Sequence, residues 1–246
     1  MQGWRSVEEL TRWGLARSPV VMVNEAHDGM ARCVRTRKVG VRIVRAAHEV
    51  GVRRLAMEAL PWPGDGSAGP IRVLPQVQGG YLGQPDMQEL ILAALDLGWT
   101  LWAYEAVIEV TPQTDPADLL STEFTNWRER EQAGNLCRLL RDSTEEPLLV
   151  WCGNGHAYKE SAQDWTPMGH HFVALAGIEP IVIDQTVTVD WPGTPLPWVA
   201  SLLTSLAETL ESMGGTAGIL REQAPPPWND WRGVDAFIVS TDNQFT

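Results

Sequence analysis

Four short apolar runs, each ending in polar or charged residues and each followed by a helical pattern, constrain this chain more than any other feature. The first, Val20-Val-Met-Val23, runs from Pro19 into Asn24-Glu25-Ala26-His27-Asp28-Gly29. A short apolar run bounded by Pro and Gly reads as a buried strand, so Glu25 and His27 fall just past its C-terminal end. Residues 31–50 then show Val34, Val41, Val44 and Ala47 on one helical face, and Gly51 ends the pattern. Val52–Leu60 gives a second strand with Glu58 near its end, and the βαβ unit so formed has a right-handed crossover and parallel strands. A helix over 86–97 and a strand over 99–106, ending at Tyr104-Glu105, come next. A helix over 126–141 and a strand at 147–152 lead into Gly153-Asn154-Gly155-His156. Further segments read as a helix near 5–17, opened by a Ser6/Glu9 capping box, a helix over 167–176, a strand over 180–189, a helix over 196–213 and a last strand over 234–240.

Strands alternating with helices define an α/β fold: a mainly parallel open sheet flanked by helices. No internal repeat or linker divides the chain, so residues 1–246 form one domain. Two stretches break the pattern. Residues 61–85 are rich in Pro and Gly, without helical or strand periodicity, and a loop of that length placed directly after Glu58 reads as a lid-like insertion. Residues 224–233 are a Pro/Trp-rich segment before the last strand.

Charge and cysteine content narrow the function. A formal net charge of −12 repels phosphate backbones, so nucleic acid is not an expected partner. No run approaches the roughly 20 apolar residues of a membrane helix, and the first residues lack the apolar core of a secretory signal. Cys33, Cys137 and Cys152 show no repeated spacing, which argues against a disulfide framework and a Cys-based zinc site. A cytoplasmic location with no membrane partner is expected; the oligomeric state is open.

Parallel strands carry their C-terminal ends to one edge, where ligands bind in open α/β sheets. That edge would gather Glu25, His27, Glu58, Tyr104, Glu105, Asn154 and His156. Two imidazoles and several carboxylates at one place suit either acid–base chemistry or a metal. Singly, each has a plainer reading: His27 as a loop histidine, Glu58 as a surface carboxylate, Cys152 as a core thiol rather than a nucleophile beside His156. His170 and His171 read as structural. Arg128 and Glu129, placed in the first turn of the 126–141 helix, suit either a bound carboxylate or intrahelical ion pairs.

Asn24-Glu-Ala-His-Asp28 resembles the Gly-Glu-x-His-Asp opening of the ChaN-like and Tiki-like proteins, and Leu55-Ala-Met-Glu58 their second-strand Leu-x-x-Glu. Arg128-Glu-x-x-Gln-Ala133-x-Asn135 is similar to a helix of the erythromycin esterases, and Val150-Trp-Cys-Gly-Asn-Gly-His156 to the late histidine element of this superfamily. The four elements occur in order over residues 19–157. Three departures mark a divergent member: Asn24 stands in place of Gly, the Glu25–His27 spacing is one residue shorter than in the esterases, and Gly153 replaces the first His of the late element.

The resemblance implies a parallel α/β fold and a hydrolase that cleaves an ester, lactone or amide bond with a His-activated water. His27, Glu25, Glu58 and His156 are the expected catalytic residues, with His27 the base, Glu25 or Glu58 orienting it, and His156 the acid. Arg128, Glu129, Asn154, Tyr104 and Trp62 are the expected substrate-binding residues, and the substrate a small molecule or peptide. An alternative is a divalent-metal hydrolase or peptidase holding Zn or Mn through Glu25, His27, Glu58 and His156. A second is a non-enzymatic ligand- or haem-binding module with Tyr81, Tyr104 or a His as axial ligand; the lack of a lipid-attachment Cys argues against haem.

Overall fold

The apolar runs become strands in the computed structural model of the chain, which describes residues 3–58, 60, 69–75, 80–108, 111, 115–141, 146–192 and 197–245. After a two-residue strand β1 (Trp4–Arg5), helix α1 (Val7–Leu15) starts at Ser6. The Ser6 side chain accepts from the Glu9 amide at 3.1 Å, and Glu9 reaches back to the Ser6 amide at 2.8 Å, the capping box the sequence predicts. Strand β2 (Val20–Glu25) is buried throughout. His27–Asp28 (β3) and Ala31–Arg32 (β4) then pair as a small hairpin. Helix α2 (Val34–Glu49) therefore begins three residues later than the apolar pattern suggests.

The remaining elements are β5 (Arg54–Met57), α3 (Pro85–Asp96), β6 (Thr100–Ala103), α4 (Thr122–Arg141), β7 (Leu148–Gly153), α5 (Met168–Ala176), β8 (Ile181–Asp184), α6 (Pro197–Ser212), β9 (Thr216–Leu220) and β10 (Ala236–Ser240). The main sheet has eight strands in the order β1-β9-β10-β8-β2-β7-β5-β6. The pairs from β10 through β6 are all parallel, while β9 runs antiparallel to β10 and β1 antiparallel to β9. A single α/β domain with a mostly parallel sheet is thus present, closed at one edge by two antiparallel strands.

Period-two alternation sorts the core into two layers. Val21, Val23, Leu55, Met57, Leu149 and Trp151 pack with α1, α2 and α3 on one face. Val20, Met22, Ala56, Leu148, Val150 and Cys152 pack with α4, α5 and α6 on the other. From β2 the chain crosses over one face to β5, and from β7 over the opposite face to β8. The reversal opens a crevice at the C-terminal ends of β2 and β7.

Three further expectations change. Helix α4 starts at Thr122, not 126, because the Ser121 hydroxyl caps the Phe124 amide at 3.1 Å; Arg128 and Glu129 consequently lie in its second turn. The strand expected over 180–189 ends at Asp184, whose carboxylate takes the Thr186 and Val187 amides at 2.7 and 3.0 Å and turns the chain away. The 61–85 stretch is not a free loop along its length. Ile71 exchanges backbone bonds of 2.8 and 2.9 Å with Leu101 of β6, and Tyr81–Gly83 form a 3-10 turn before α3. Residues 61–68 and 76–79, including Trp62, lie outside the described residues.

Candidate active site

Strand β7 delivers the backbone around which the polar residues gather. Asn154 follows it in a left-handed conformation, φ 43°, which Asn tolerates better than most side chains. Its amide donates to the Glu25 carbonyl at 2.7 Å. Its side chain takes the His27 amide at 3.2 Å and donates to the His27 carbonyl at 3.1 Å. The ends of β2 and β7 are thereby locked together through Asn154, and His27 is held by its backbone.

Around His156 the site is charged. His156 Nδ1 lies 2.5 Å from Glu129 Oε1, and its Nε2 lies 3.7 Å from Glu58 Oε1. Glu129 is fully buried and also accepts from Trp165 Nε1 at 3.0 Å and the Met168 amide at 2.6 Å. Glu58 accepts from the Gly153 amide at 2.8 Å and pairs with Arg128. Arg128 in turn donates through Nε to Glu105 at 2.9 Å. Burial works to raise the Glu58 carboxyl, but His156, Arg128 and the Gly153 amide outweigh it and hold it down at about 2. Burial likewise works against the imidazolium of His156, yet Glu58 and Glu129 prevail and raise it above the ordinary histidine value. His156, Glu129, Asn154, Gly155, Thr122, Thr125 and Trp165 line part of an open cavity of about 610 Å³.

Glu25 belongs to a different cluster. Its carboxylate is fully buried and receives Arg37 Nε and Nη2 at 2.8 and 2.9 Å, Trp151 Nε1 at 2.9 Å, and the Tyr81 hydroxyl. Two oxygens with four donors have no capacity left to orient an imidazole. His27 touches both clusters. Its ring stands edge-on to Tyr81 with centroids 5.1 Å apart, and its Nε2 lies so near Gly153 that a Cβ there would fall 2.2 Å from it. Among the described residues neither His27 ring nitrogen makes a hydrogen bond.

The structure gives several sequence-derived site residues different parts. Glu129 does not face a ligand freely; it orients His156. Tyr104 is fully buried and its hydroxyl donates to the Trp151 carbonyl at 3.0 Å, so it supports β7 instead of lining a pocket. Arg128 is engaged by Glu58 and Glu105, two of the protein's own carboxylates. The Cys152 thiol is buried and its burial pushes it well above the ordinary range, which fits a core thiol. Glu25, His27, Glu58 and His156 do not converge as a ligand set, and no group of three or more His, Cys, Asp or Glu among the described residues is arranged to hold a metal. The Tyr81 and Tyr104 hydroxyls, engaged by Glu25 and Trp151, are not free as axial ligands.

One important residue escaped the sequence reading, and another was read for a different part. Arg37 is fully buried, and its position three residues after Val34 and four before Val41 puts it on the apolar face of α2. Tyr81, considered only as an axial ligand, lies near the end of the Pro/Gly-rich stretch and contacts Glu25 and His27 instead.

Fold and site together define a three-layer α/β domain with an imidazole–carboxylate site at its strand ends. No protein-family model matches the chain, and no curated protein matches it. Solved structures similar to it include a Bacillus cereus protein, at 10% identity over 98% of this chain and 99% of that one, with a TM-score of 0.52. The type III effector HopBA1 aligns over 72% of this chain and 81% of its own at 13% identity and TM-score 0.44. A structure described as bacterial protein toxins aligns over 75% of this chain and 37% of its own at 12% identity and TM-score 0.48. At 10% identity the likeness to the Bacillus cereus structure extends to the fold alone. In the described residues no helix is long and apolar enough to cross a membrane.

Proposed function

We propose that this protein is a hydrolase that cleaves an ester, lactone or amide bond with a water activated at the C-terminal edge of the sheet. The observation that carries the reading is the unequal treatment of two histidines beside the Gly153–Asn154 turn. Neither His27 ring nitrogen makes a hydrogen bond among the described residues, which leaves the ring open to a water, whereas His156 is oriented by a buried carboxylate and biased toward its charged form. A histidine open to a water beside one held against a buried carboxylate suits the first as base and the second as acid. In this reading His27 removes a proton from water as the oxygen attacks the carbonyl carbon. His156 first stabilises the developing oxyanion and then gives its proton to the departing alcohol or amine. Glu129 fixes the His156 ring, and Glu58 favours its imidazolium. Proton transfer of this kind contributes about 10²–10⁴-fold. The motif resemblance to erythromycin esterases adds support for the same bond classes.

The test is hydrolysis of p-nitrophenyl esters, simple lactones and p-nitroanilides by the native protein, His27→Ala and His156→Ala. Turnover of at least one class, lost by about 100-fold or more in both variants with unchanged circular dichroism, supports the reading. A folded His27→Ala protein with the native rate overturns it.

A further inference from the structure

His27 lacks the carboxylate partner that His156 has, yet a general base needs a fixed ring. Something other than a hydrogen bond must therefore hold it. The only aromatic ring paired with it among the described residues is that of Tyr81. Tyr81 is itself fastened at both ends. Its hydroxyl donates to Glu25, and the Arg37 guanidinium carbon lies 4.6 Å from its ring centroid. The residues that follow reinforce the attachment. Gln84 accepts from Arg37 Nη1, and Asp86 pairs with the same nitrogen at 3.2 Å and with Arg32 at 2.8 Å. Residues 81–86 thus rest on the buried Glu25–Arg37 pair at three points, and that pair is rooted in β2 and α2. Burial and the Glu25 charge push the Tyr81 hydroxyl well above its ordinary value, which keeps it a donor.

We infer that Tyr81 is a positioning residue for His27: its hydroxyl, anchored on Glu25, presses the edge-on ring against the imidazole and sets the direction of the nitrogen that receives the proton. Glu25 then acts on His27 indirectly, through Tyr81, although it stands only two residues before the histidine, at the end of β2. The inference rests on the reading of His27 as the base only for its effect on rate; the geometric coupling stands apart from it.

The experiment compares the native full-length chain with Tyr81→Phe and Tyr81→Leu by NMR of the histidine rings, with the His27 signals assigned from a His27→Gln spectrum. In Tyr81→Leu the His27 ring protons should lose the ring-current shift from tyrosine and broaden, while the His156 signals stay in place. Tyr81→Phe, which keeps the ring but not its anchor, should displace the His27 signals in the same direction by a smaller amount. For the substrate class found active, kcat should fall about 10- to 100-fold in Tyr81→Leu with KM changed less than about twofold. His27 signals that superimpose on the native ones in folded Tyr81→Phe and Tyr81→Leu overturn the inference. If Tyr81→Leu does not fold, unmoved signals in Tyr81→Phe suffice to do so. If no substrate is hydrolysed, the hydrolase reading fails while the ring spectra still decide the part played by Tyr81.

Discussion

His156 Nδ1 and Glu129 Oε1 are 2.5 Å apart, and the same carboxylate accepts from Trp165 Nε1 and the Met168 amide. Replacing Glu129 with Gln keeps the shape and removes the charge that helps to raise His156. The imidazolium is then lost at a lower pH, so the alkaline limb of the kcat profile moves down in pH, and the rate drops by about 100-fold or more. An unmoved limb in a folded Glu129→Gln protein contradicts the role given to Glu129.

Glu58 makes the fold itself sensitive to acid. Its carboxyl lies at about 2 when folded, against 4.5 for the free group. The stabilisation is complete above pH 4.5 and disappears as pH falls toward 2, and the gap corresponds to roughly 3 kcal/mol. Denaturant titrations at pH 7 and pH 3 should show a larger loss for the native protein than for Glu58→Gln. Equal losses count against the strong pairing of Glu58 with His156 and Arg128.

Arg37 is the countercharge of a wholly buried glutamate. Arg37→Met leaves Glu25 uncompensated and should cost about 3–5 kcal/mol in denaturant unfolding. Adding Glu25→Gln to the same chain should recover part of that loss, because the stranded charge is then gone. No recovery means that packing, not charge, sets the cost.

Gly153→Ala would place a methyl 2.2 Å from His27 Nε2. The imidazole must swing aside, and hydrolysis should fall by about 100-fold while the melting temperature changes little. Retention of the native rate would mean that His27 works from another rotamer.

Cys152→Ala should keep hydrolysis within about twofold, since the thiol faces the core and its hydrogen-bond contact is to the Val23 carbonyl at 3.7 Å, away from the histidines. Loss of activity without loss of folding would reinstate a thiol nucleophile.

The strand ends carrying Glu25, Glu58 and His156 were legible because buried parallel strands are short unbroken apolar runs. Strand β9 was not. Thr216-Ala-Gly-Ile-Leu220 holds a glycine at its centre and follows Gly214-Gly215, so it reads as punctuation. The glycine is there because a Cβ on Gly218 would lie 2.8 Å from Leu10 Cδ2, a contact invisible without α1 in place. The burial of Glu129 was available in principle. With Ala133, Leu136 and Leu140 it falls on one helical stripe, and an acid on an apolar stripe must have a partner. Starting the helix at 126 hid this by assigning the residue to a solvated first turn. The Tyr81–His27 contact had no sequence signal at all, because it depends on where Tyr81 comes to rest against Glu25 and Arg37.

The pairing of Ile71 with Leu101 has a consequence beyond the site. A sheet whose last strand leaves amides and carbonyls unpaired is a template on which other chains can extend it. At the β6 side Ile71 already occupies both backbone groups of Leu101, and at the far side the two residues of β1 cover β9 against Ile219 and Gly218. Ile71 therefore helps to keep the sheet from growing by accretion, and a variant that frees the Leu101 backbone from it would gain a tendency to aggregate.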